Sequence, residues 1–449
     1  MARRCVADDG LGPLSCRGKL LTDHQPYRAW LAGKATNIYG CRSLGVRVKL
    51  YNTLTSRKED FSAGDVVRLY VCGVTPYDTT HAGHAFTYVV FDVLGRYLRH
   101  LGYGVRYVQN VTDIDDDILK RARETGTTWD ALGREQTALF LEDMASLNVI
   151  APDAYPKATE ETPGMIALIE KLLVGGHAYE SQGSVYFSVD SDPHFGVLGG
   201  LTSRPEMLTI ANERGNFPDD PKKRDPLDFV LWQAAQPGEP TWPSPWGPGR
   251  PGWHIECSAM AMHYLGPTVD IHGGGDDLVF PHHACEIAQS EYATGVRPFV
   301  RYWMHTAMVG YQGAKMSKSL GNLVLVRQVL RRHSADALRL YLSQHHYRQS
   351  WEYQDDGPAG VEELARALAE VAQGPTASGS AFDVAPYRQR FLAAMDDDLD
   401  TPTALRALTD LADGVRVAHE GGHDTAGARE CVRDLGAILG LRLGANDAR

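Results

Sequence analysis

The chain reads as an α/β protein: a Rossmann-like parallel-sheet catalytic domain, split by an insertion and followed by a C-terminal helical bundle. Three observations predict this. Val67-Arg-Leu-Tyr-Val-Cys, an apolar periodic helix after His81, and Val105-Arg-Tyr-Val-Gln-Asn-Val-Thr make strand, helix and strand, one βαβ unit. The sheet pattern breaks off near residue 150 and resumes near Trp253. Beyond about Val326 the pattern is that of amphipathic helices.

Bulk properties bound the reading. With 449 residues and 43% hydrophobic content the chain can bury a large core, enough for two or three domains. A formal charge of −11 argues against a general nucleic-acid coat, though a local basic face can still hold one tRNA. No apolar run approaches the roughly 18 residues of a membrane span. The N-terminus has arginines but no apolar core for a secretory signal, so a cytoplasmic location and no membrane partner are expected. The seven cysteines (5, 16, 41, 72, 257, 285 and 431) form an odd, dispersed set that suits a reducing compartment better than a disulfide scaffold.

Residues 1–47 scatter Gly, Arg, Cys and Pro without period and read as a disordered extension. Residues 48–150 form the first half of the catalytic domain. Val46-Arg-Val-Lys-Leu-Tyr alternates like a strand, and Val67 begins a second, more buried one. The turn Gly73-Val-Thr-Pro-Tyr-Asp leads into a helix carried by Phe86, Val89, Val90, Phe91, Val93, Leu94, Tyr97 and Leu98. A helical pattern runs from about Asp115 to Asn148. Residues 151–240 read as a connective insertion, with a helix over Thr162 to Gly175, a hairpin-like Gly183-Ser-Val-Tyr-Phe-Ser-Val and a polar stretch from Glu213 to Arg224. The second half of the catalytic domain spans 241–326. The helical domain spans 327–449, broken by a Gly/Ala/Ser/Pro linker at Gln373 to Ala381, with a helix starting in Met395-Asp-Asp-Asp-Leu-Asp-Thr-Pro and running through Leu405, Leu408 and Leu411.

Two motifs point to nucleotide chemistry. His81-Ala-Gly-His84 falls between a strand and a helix, where free N–H groups and the helix dipole favour phosphate. Two imidazoles at i and i+3 can donate to a triphosphate, and Gly83 lets it approach the backbone. Alone, this also fits an ordinary helix start. Lys315-Met-Ser-Lys-Ser319 changes the balance, because a loop lysine can follow charge onto the reacting phosphorus and departing pyrophosphate. Lys318 is assigned that role, with Lys315 supporting it.

A third constellation suits a soft metal. Cys72, Cys257, His282 and Glu286 supply two thiolates, an imidazole and a carboxylate, a set fitted to zinc rather than magnesium. His282 and Glu286, at i and i+4, can share a helical face. His272, His283 and especially Cys285 are rival ligands, and a free cysteine is more often a small buried hydrophobe. One thiolate-rich zinc beside an adenylating site implies a substrate that itself binds zinc, and cysteine is the obvious candidate. Asp113, Asp115, Asp116 and Asp117 form an acidic cluster that helix N-terminal charge explains equally well.

Leu69-Tyr-Val-Cys-Gly, His81-Ala-Gly-His, Asn110-Val-Thr-Asp-Ile-Asp-Asp, Lys223-Arg-Asp-Pro-Leu-Asp-Phe-Val-Leu-Trp, Pro251-Gly-Trp-His-Ile-Glu-Cys-Ser-Ala-Met, Asp270-Ile-His-Gly-Gly-Gly and Lys315-Met-Ser-Lys-Ser-Leu-Gly-Asn closely resemble the class I cysteinyl-tRNA synthetase family. The match covers about residues 48 to 353. The resemblance implies one zinc per chain on Cys72, Cys257, His282 and Glu286, selecting Glu286 over Cys285. It also implies ATP with Mg2+ as substrate. Cys72, Asn110, Thr112 and Trp253 then belong to the amino-acid pocket, and Gly73, Thr75, Gly83, Thr87, Gly275, Asp277, Val309 and Lys318 to the nucleotide site. Plain core packing is the other reading of Trp253. Serine differs from cysteine by one atom, and shape alone separates near-isosteres by only about 1–3 kcal/mol. A zinc–thiolate bond that a hydroxyl cannot match would supply the rest.

The acceptor is less sharply written. The cysteine ligase of mycothiol biosynthesis, which joins cysteine to the amine of a glucosaminyl-inositol, is similar over the same region. Thr75-Pro-Tyr-Asp, His84-Ala-Phe-Thr-Tyr and Asn322-Leu-Val-Leu-Val look like that enzyme; Glu286, His272 and Ser319-Leu-Gly-Asn look like the synthetase. The chain stops soon after Leu435-Gly-Ala-Ile-Leu-Gly-Leu, so a terminal anticodon-reading module is expected to be lacking. A basic helix from Arg327 to Arg348, with Arg331, Arg332, His333, Arg339 and Arg348, favours tRNA(Cys), although a solvated helix face reads the same way. The leading expectation is ATP-dependent cysteine activation and transfer to tRNA(Cys), with the aminosugar ligase second. A catalytically silent zinc-binding paralogue is third, and intact His81, His84, Lys315 and Lys318 speak against it.

Overall fold

The computed structural model describes residues 48–77, 80–316, 321–375 and 379–444. The extension 1–47 and Lys318 lie outside these. The chain opens with an antiparallel pair, β1 (Lys49–Asn52) and β2 (Arg57–Asp60). The strand expected from Val46 is thus a short hairpin, laid beside the main sheet through Thr53 N–H to Trp303 O at 2.9 Å. Next come β3 (Val66–Val74), the 19-residue helix α1 (Ala82–His100) and β4 (Gly104–Val111). β3 and β4 pair in parallel, as the βαβ pattern requires. The single helix expected from Asp115 to Asn148 is two, α2 (Asp116–Thr125) and α3 (Trp129–Ser146). Gly126 ends the first in a left-handed cap with φ 68°, where glycine carries no Cβ penalty, and Thr128 caps the second.

The following region has its own antiparallel sheet. It contains α4 (Thr162–Val174), β5 (Ala178–Ser181), β6 (Ser184–Phe187), α5 (Arg204–Glu213), β7 (Phe229–Ala234) and β8 (Gly249–Pro251), with strand order β5-β6-β7-β8. Its last strand thus lies beyond residue 240. The β5–β6 turn places Gln182 and Gly183 at φ 51° and 78°, the left-handed pair of a tight two-residue hairpin. Trp253 does not resume the sheet, as the sequence pattern suggested. It opens α6 (Trp253–Leu265), and strand returns only at β9 (Val269–Gly275). An apolar run that is buried on all sides carries no helical stripe, which is why its period misled. After β9 come one wide turn, α7 (Ala284–Thr294) and β10 (Val300–Thr306), with β11 (Val309–Tyr311) and β12 (Ala314–Lys315) beyond.

The main sheet runs β10-β9-β3-β4, all parallel. β3 and β9 are its central pair, joined at Leu69↔Ile271, Tyr70↔His272 and Val71↔Gly273. From β3 the chain winds to one edge, and from β9 to the other. The carboxyl ends of this pair are therefore the switch point where open α/β sheets bind ligands. Gly273 is required there: a Cβ on it would stand 2.1 Å from the Phe91 ring of α1.

The rest is helical: α8 (Val326–Leu330), α9 (Ala335–Ser343), the short β13 (Trp351–Glu352), then α10 (Gly357–Gln373), α11 (Ala385–Asp396), α12 (Thr401–Glu420) and α13 (Ala426–Ile438). Met395 lies in the last turn of α11, and the next helix begins at Thr401, capped by Asp400. The basic helix expected over Arg327 to Arg348 requires correction. It is two short helices, and Arg339 is fully buried. Its guanidinium meets Asp92 of α1 at 2.5 Å and donates to Leu147 O and Leu439 O at 2.8 and 2.9 Å. Arg327 pairs with Asp143, and Arg348 with buried Asp398. Only Arg331 and Arg332 of that run stay exposed without an ion pair among the described residues.

Candidate active site and metal centre

The start of α1 lies at the carboxyl end of β3. His81 is its N-cap, with Nδ1 accepting from Gly83 N–H at 3.1 Å and the ring stacked on His84 at 3.8 Å. A Cβ on Gly83 would crowd the His81 ring at 2.9 Å, so glycine is what lets the two imidazoles stack at the helix mouth. One turn on, the Thr87 hydroxyl meets Thr306 of β10 at 2.7 Å, and Thr306 reaches Gly274 O at 3.4 Å. Gly73 N–H donates to Asn110 Oδ1 at 2.8 Å, and a Cβ there would fall 1.6 Å from Asn110 O. Across the mouth, Lys315 Nζ meets Asp277 Oδ2 at 3.1 Å, both half-exposed. Asn322 holds that loop by donating to Tyr311 O and Lys315 O at 3.0 and 3.2 Å. Gly275 ends β9, and buried Val309 opens β11, on the same side of the sheet. Thr75, half-buried, follows β3.

Beneath this mouth, Cys72 at the end of β3, Cys257 on α6, His282 in the wide turn and Glu286 on α7 bring their ligand atoms within 4.8 Å of one another. All are buried. The thiols are 3.7 Å apart, Cys72 Sγ is 3.8 Å from Glu286 Oε1, and His282 Nε2 is 3.2 Å from the same oxygen. Cys285 points elsewhere and joins neither cluster found among the described residues. A second, overlapping group substitutes His272 and His283 for Cys257 and His282. His272 Nε2 lies 3.0 Å from the outer carboxylate oxygen Glu286 Oε2, the place of an orienting neighbour. His254 Nδ1 does the same for His282 Nδ1 at 2.9 Å, and Trp253 stacks on the His282 ring at 4.2 Å. Behind Cys72 runs a chain: Cys72 Sγ to His283 Nε2 at 3.3 Å, His283 Nδ1 to His305 Nε2 at 2.7 Å, His305 Nδ1 to Thr53 Oγ1 at 2.7 Å.

Burial governs the charges. It pushes the Cys72 and Cys257 thiols and the Glu286 carboxyl up, with His272 pulling Glu286 partly back. It drives His282 and His283 well down, and lowers His254 and His305 to about 3. Two thiols, an imidazole and a carboxyl packed this closely fit one cation, whose charge would favour the thiolates and carboxylate that burial disfavours and the neutral imidazole that burial already favours. The donor set is that of zinc, not magnesium.

The sequence named the four clustered donors and the two histidines at the start of α1. It did not single out His254, His305, Thr53 or Thr306. His254 is three residues from Cys257 on one helix, a spacing that could have flagged it; the other three become neighbours only through the fold. The acidic cluster resolves into structural work. Asp115 caps α2 through Ile118 N–H at 2.8 Å, and Asp113 binds the Thr159 hydroxyl at 2.7 Å.

A parallel sheet with a histidine-bearing helix start at its switch point, faced by a lysine-bearing loop, defines the catalytic core of a class I aminoacyl-tRNA synthetase. The fold agrees with that of Mycobacterium tuberculosis methionyl-tRNA synthetase in complex with methionyl-adenylate, at a TM-score of 0.61 and 16% identity, over 83% of this chain and 89% of that one. Residues 59–361 match the family described as tRNA synthetases class I (C) catalytic domain, and residues 390–444 match the DALR domain. The chain belongs to that class I (C) family. A cysteine–tRNA ligase of Dehalococcoides mccartyi is 45% identical over 402 residues, 88% of this chain and 86% of the relative. An L-cysteine:1D-myo-inositol 2-amino-2-deoxy-alpha-D-glucopyranoside ligase of Thermomonospora curvata is 43% identical over 423 residues, 93% of this chain and 100% of the relative.

Proposed function

We propose that the protein activates L-cysteine with ATP to cysteinyl-adenylate and transfers it to tRNA(Cys). The observation that carries this reading is the buried Cys72, Cys257, His282 and Glu286 cluster, within 4.8 Å, at the carboxyl ends of β3 and β9 beside the His81 helix start. Zinc bound there favours a thiolate and disfavours the hydroxyl of serine.

The chain's own groups do the rest. ATP, with Mg2+, lays its phosphates at the α1 N-terminus, where the helix dipole favours their charge and His81 and His84 donate to them. Gly73 and Gly83 let the nucleotide approach the backbone. Gly275, Asp277 and Val309 hold the nucleoside end, and Thr75 and Thr87 line the adenylate. Asn110, Thr112 and Trp253 shape the amino-acid pocket. The cysteine carboxylate attacks the α-phosphorus and pyrophosphate leaves, its growing charge met by Lys315 and Lys318. Lys315 begins that step paired to Asp277. The 3′-terminal ribose hydroxyl of tRNA then attacks the adenylate carbonyl and AMP leaves.

The Thermomonospora relative supports a second reading, in which the acceptor is the amine of glucosaminyl-inositol. The Dehalococcoides relative and the fourth ligand, Glu286, favour tRNA. Purified protein, labelled cysteine and ATP are offered tRNA(Cys) and glucosaminyl-inositol in parallel. Charging of tRNA is the expected result; transfer to the aminosugar alone overturns the acceptor, and no cysteine-dependent ATP–pyrophosphate exchange overturns the first step.

A further inference from the structure

By its sequence Arg327 belongs to a basic stripe suited to nucleic acid, yet in the fold it turns inward. Its side chain is 27% exposed, and Nη2 donates to Leu139 O and to Asp143 Oδ2, both at 3.1 Å. Both acceptors lie on α3, and the Asp143 side chain is only 5% exposed. Arg327 therefore pins the first turn of α8 onto α3.

The residues just before it give that pin its consequence. Val326 N–H donates to Thr80 O at 3.0 Å, and Ala82 N–H donates to Val324 O at 2.8 Å. Leu325 is thus bridged antiparallel to His81, the N-cap of α1. At the other end, Asn322 donates to Lys315 O and Tyr311 O of the β11–β12 hairpin. Residues 322–326 therefore tie the lysine hairpin to the histidine-bearing helix start, and Arg327 fixes the tie against α3. The imidazoles of α1 and the ammonium of Lys315 come from separate parts of the chain, and both must meet the same departing pyrophosphate. A misplacement of about 1 Å in such a constellation can cost roughly a hundredfold in rate. That cost falls on the transition state, where the charge on pyrophosphate is growing.

We propose that Arg327, paired with Asp143, is a positioning residue for adenylation, holding the segment that sets the spacing between His81 and Lys315. The proposal rests on the reading of both motifs as the ATP site. It moves Arg327 from the acceptor step, where its charge alone would place it, to the first step.

Cysteinyl-adenylate formation is measured in single turnovers on zinc-loaded protein, with ATP and cysteine affinities from calorimetry. Rates are taken at saturating substrate and normalised to zinc content, so a variant that is merely less stable keeps the native rate. Arg327→Met and Asp143→Asn should each slow adenylate formation about tenfold or more, with both affinities held within about twofold. The two changes together should lose little more than either alone. Arg327→Lys keeps a cation within reach of Asp143 and should recover part of the rate. Should Arg327→Met not fold, Asp143→Asn and Arg327→Lys read the same step. A native rate of adenylate formation in Arg327→Met or Asp143→Asn overturns the proposal, and slower tRNA charging in that case returns Arg327 to the acceptor step. Weaker substrate binding at an unchanged rate overturns it as well. A native protein that forms no adenylate overturns the functional reading itself.

Discussion

Asp115 caps a helix from a half-buried position, and desolvation, aided by Asp117 and Asp116, raises its carboxyl from 3.8 to about 7. Between those values the folded chain keeps a proton that the unfolded chain releases. The associated stability is fully present below pH 4 and is lost as the pH rises through 7. Asp115→Asn keeps the cap and removes the titration. Its unfolding free energy from urea titration should therefore gain on the native protein from pH 5 to pH 8, by about 1 kcal/mol or more. Asp113 and Glu256 are raised in the same direction, so the slope should shrink rather than vanish; an unchanged slope would clear Asp115 of the effect. The metal centre gives a ranking at the same scale. Cys257→Ala and Glu286→Ala should lose zinc on purification, and His272→Ala should weaken it roughly 10- to 100-fold by freeing the Glu286 carboxylate. Cys285→Ala should leave metal content alone, and chelator competition reads all four.

Among the elements, α9 shows most plainly what sequence conceals. Arg339→Met should cost about 3 kcal/mol, because buried Asp92 would keep only Arg96 as a cation and the Leu147 and Leu439 carbonyls would lose their donor. Adding Asp92→Leu should recover much of that in urea unfolding, and a double variant no better than the single would mean that the arginine acts through its carbonyl contacts alone. From sequence Arg339 was one cation in a basic stripe, since a charge looks the same whether it faces water or a partner 247 residues away. The βαβ unit was legible because β3, α1 and β4 are contiguous and carry clear periods. The Trp253 helix was not, because burial on every side erased its stripe. The same contrast divides the site. Cys72, Cys257, His282 and Glu286 announced themselves by ligand chemistry, whereas Thr53, His305 and Thr306 are ordinary residues until β1, β10 and α1 converge.

For the whole molecule the open variable is the acceptor. With Arg339 withdrawn, Arg331 and Arg332 are the exposed cations of that segment available to a phosphate backbone. Replacing both by Gln should slow tRNA charging and flatten its salt dependence by up to about two contacts, while cysteine-dependent pyrophosphate exchange continues unchanged. Equal charging by native and variant protein at every salt concentration would move the tRNA footprint elsewhere. The knot around Arg339 also has a bearing on how the protein is born. Asp92 and Arg339 leave the ribosome well before Leu439, whose carbonyl completes the guanidinium's bonds. Until Leu439 emerges, the Arg339 guanidinium holds one bond unmade, so the segment around Leu439 is among the last to join this part of the fold.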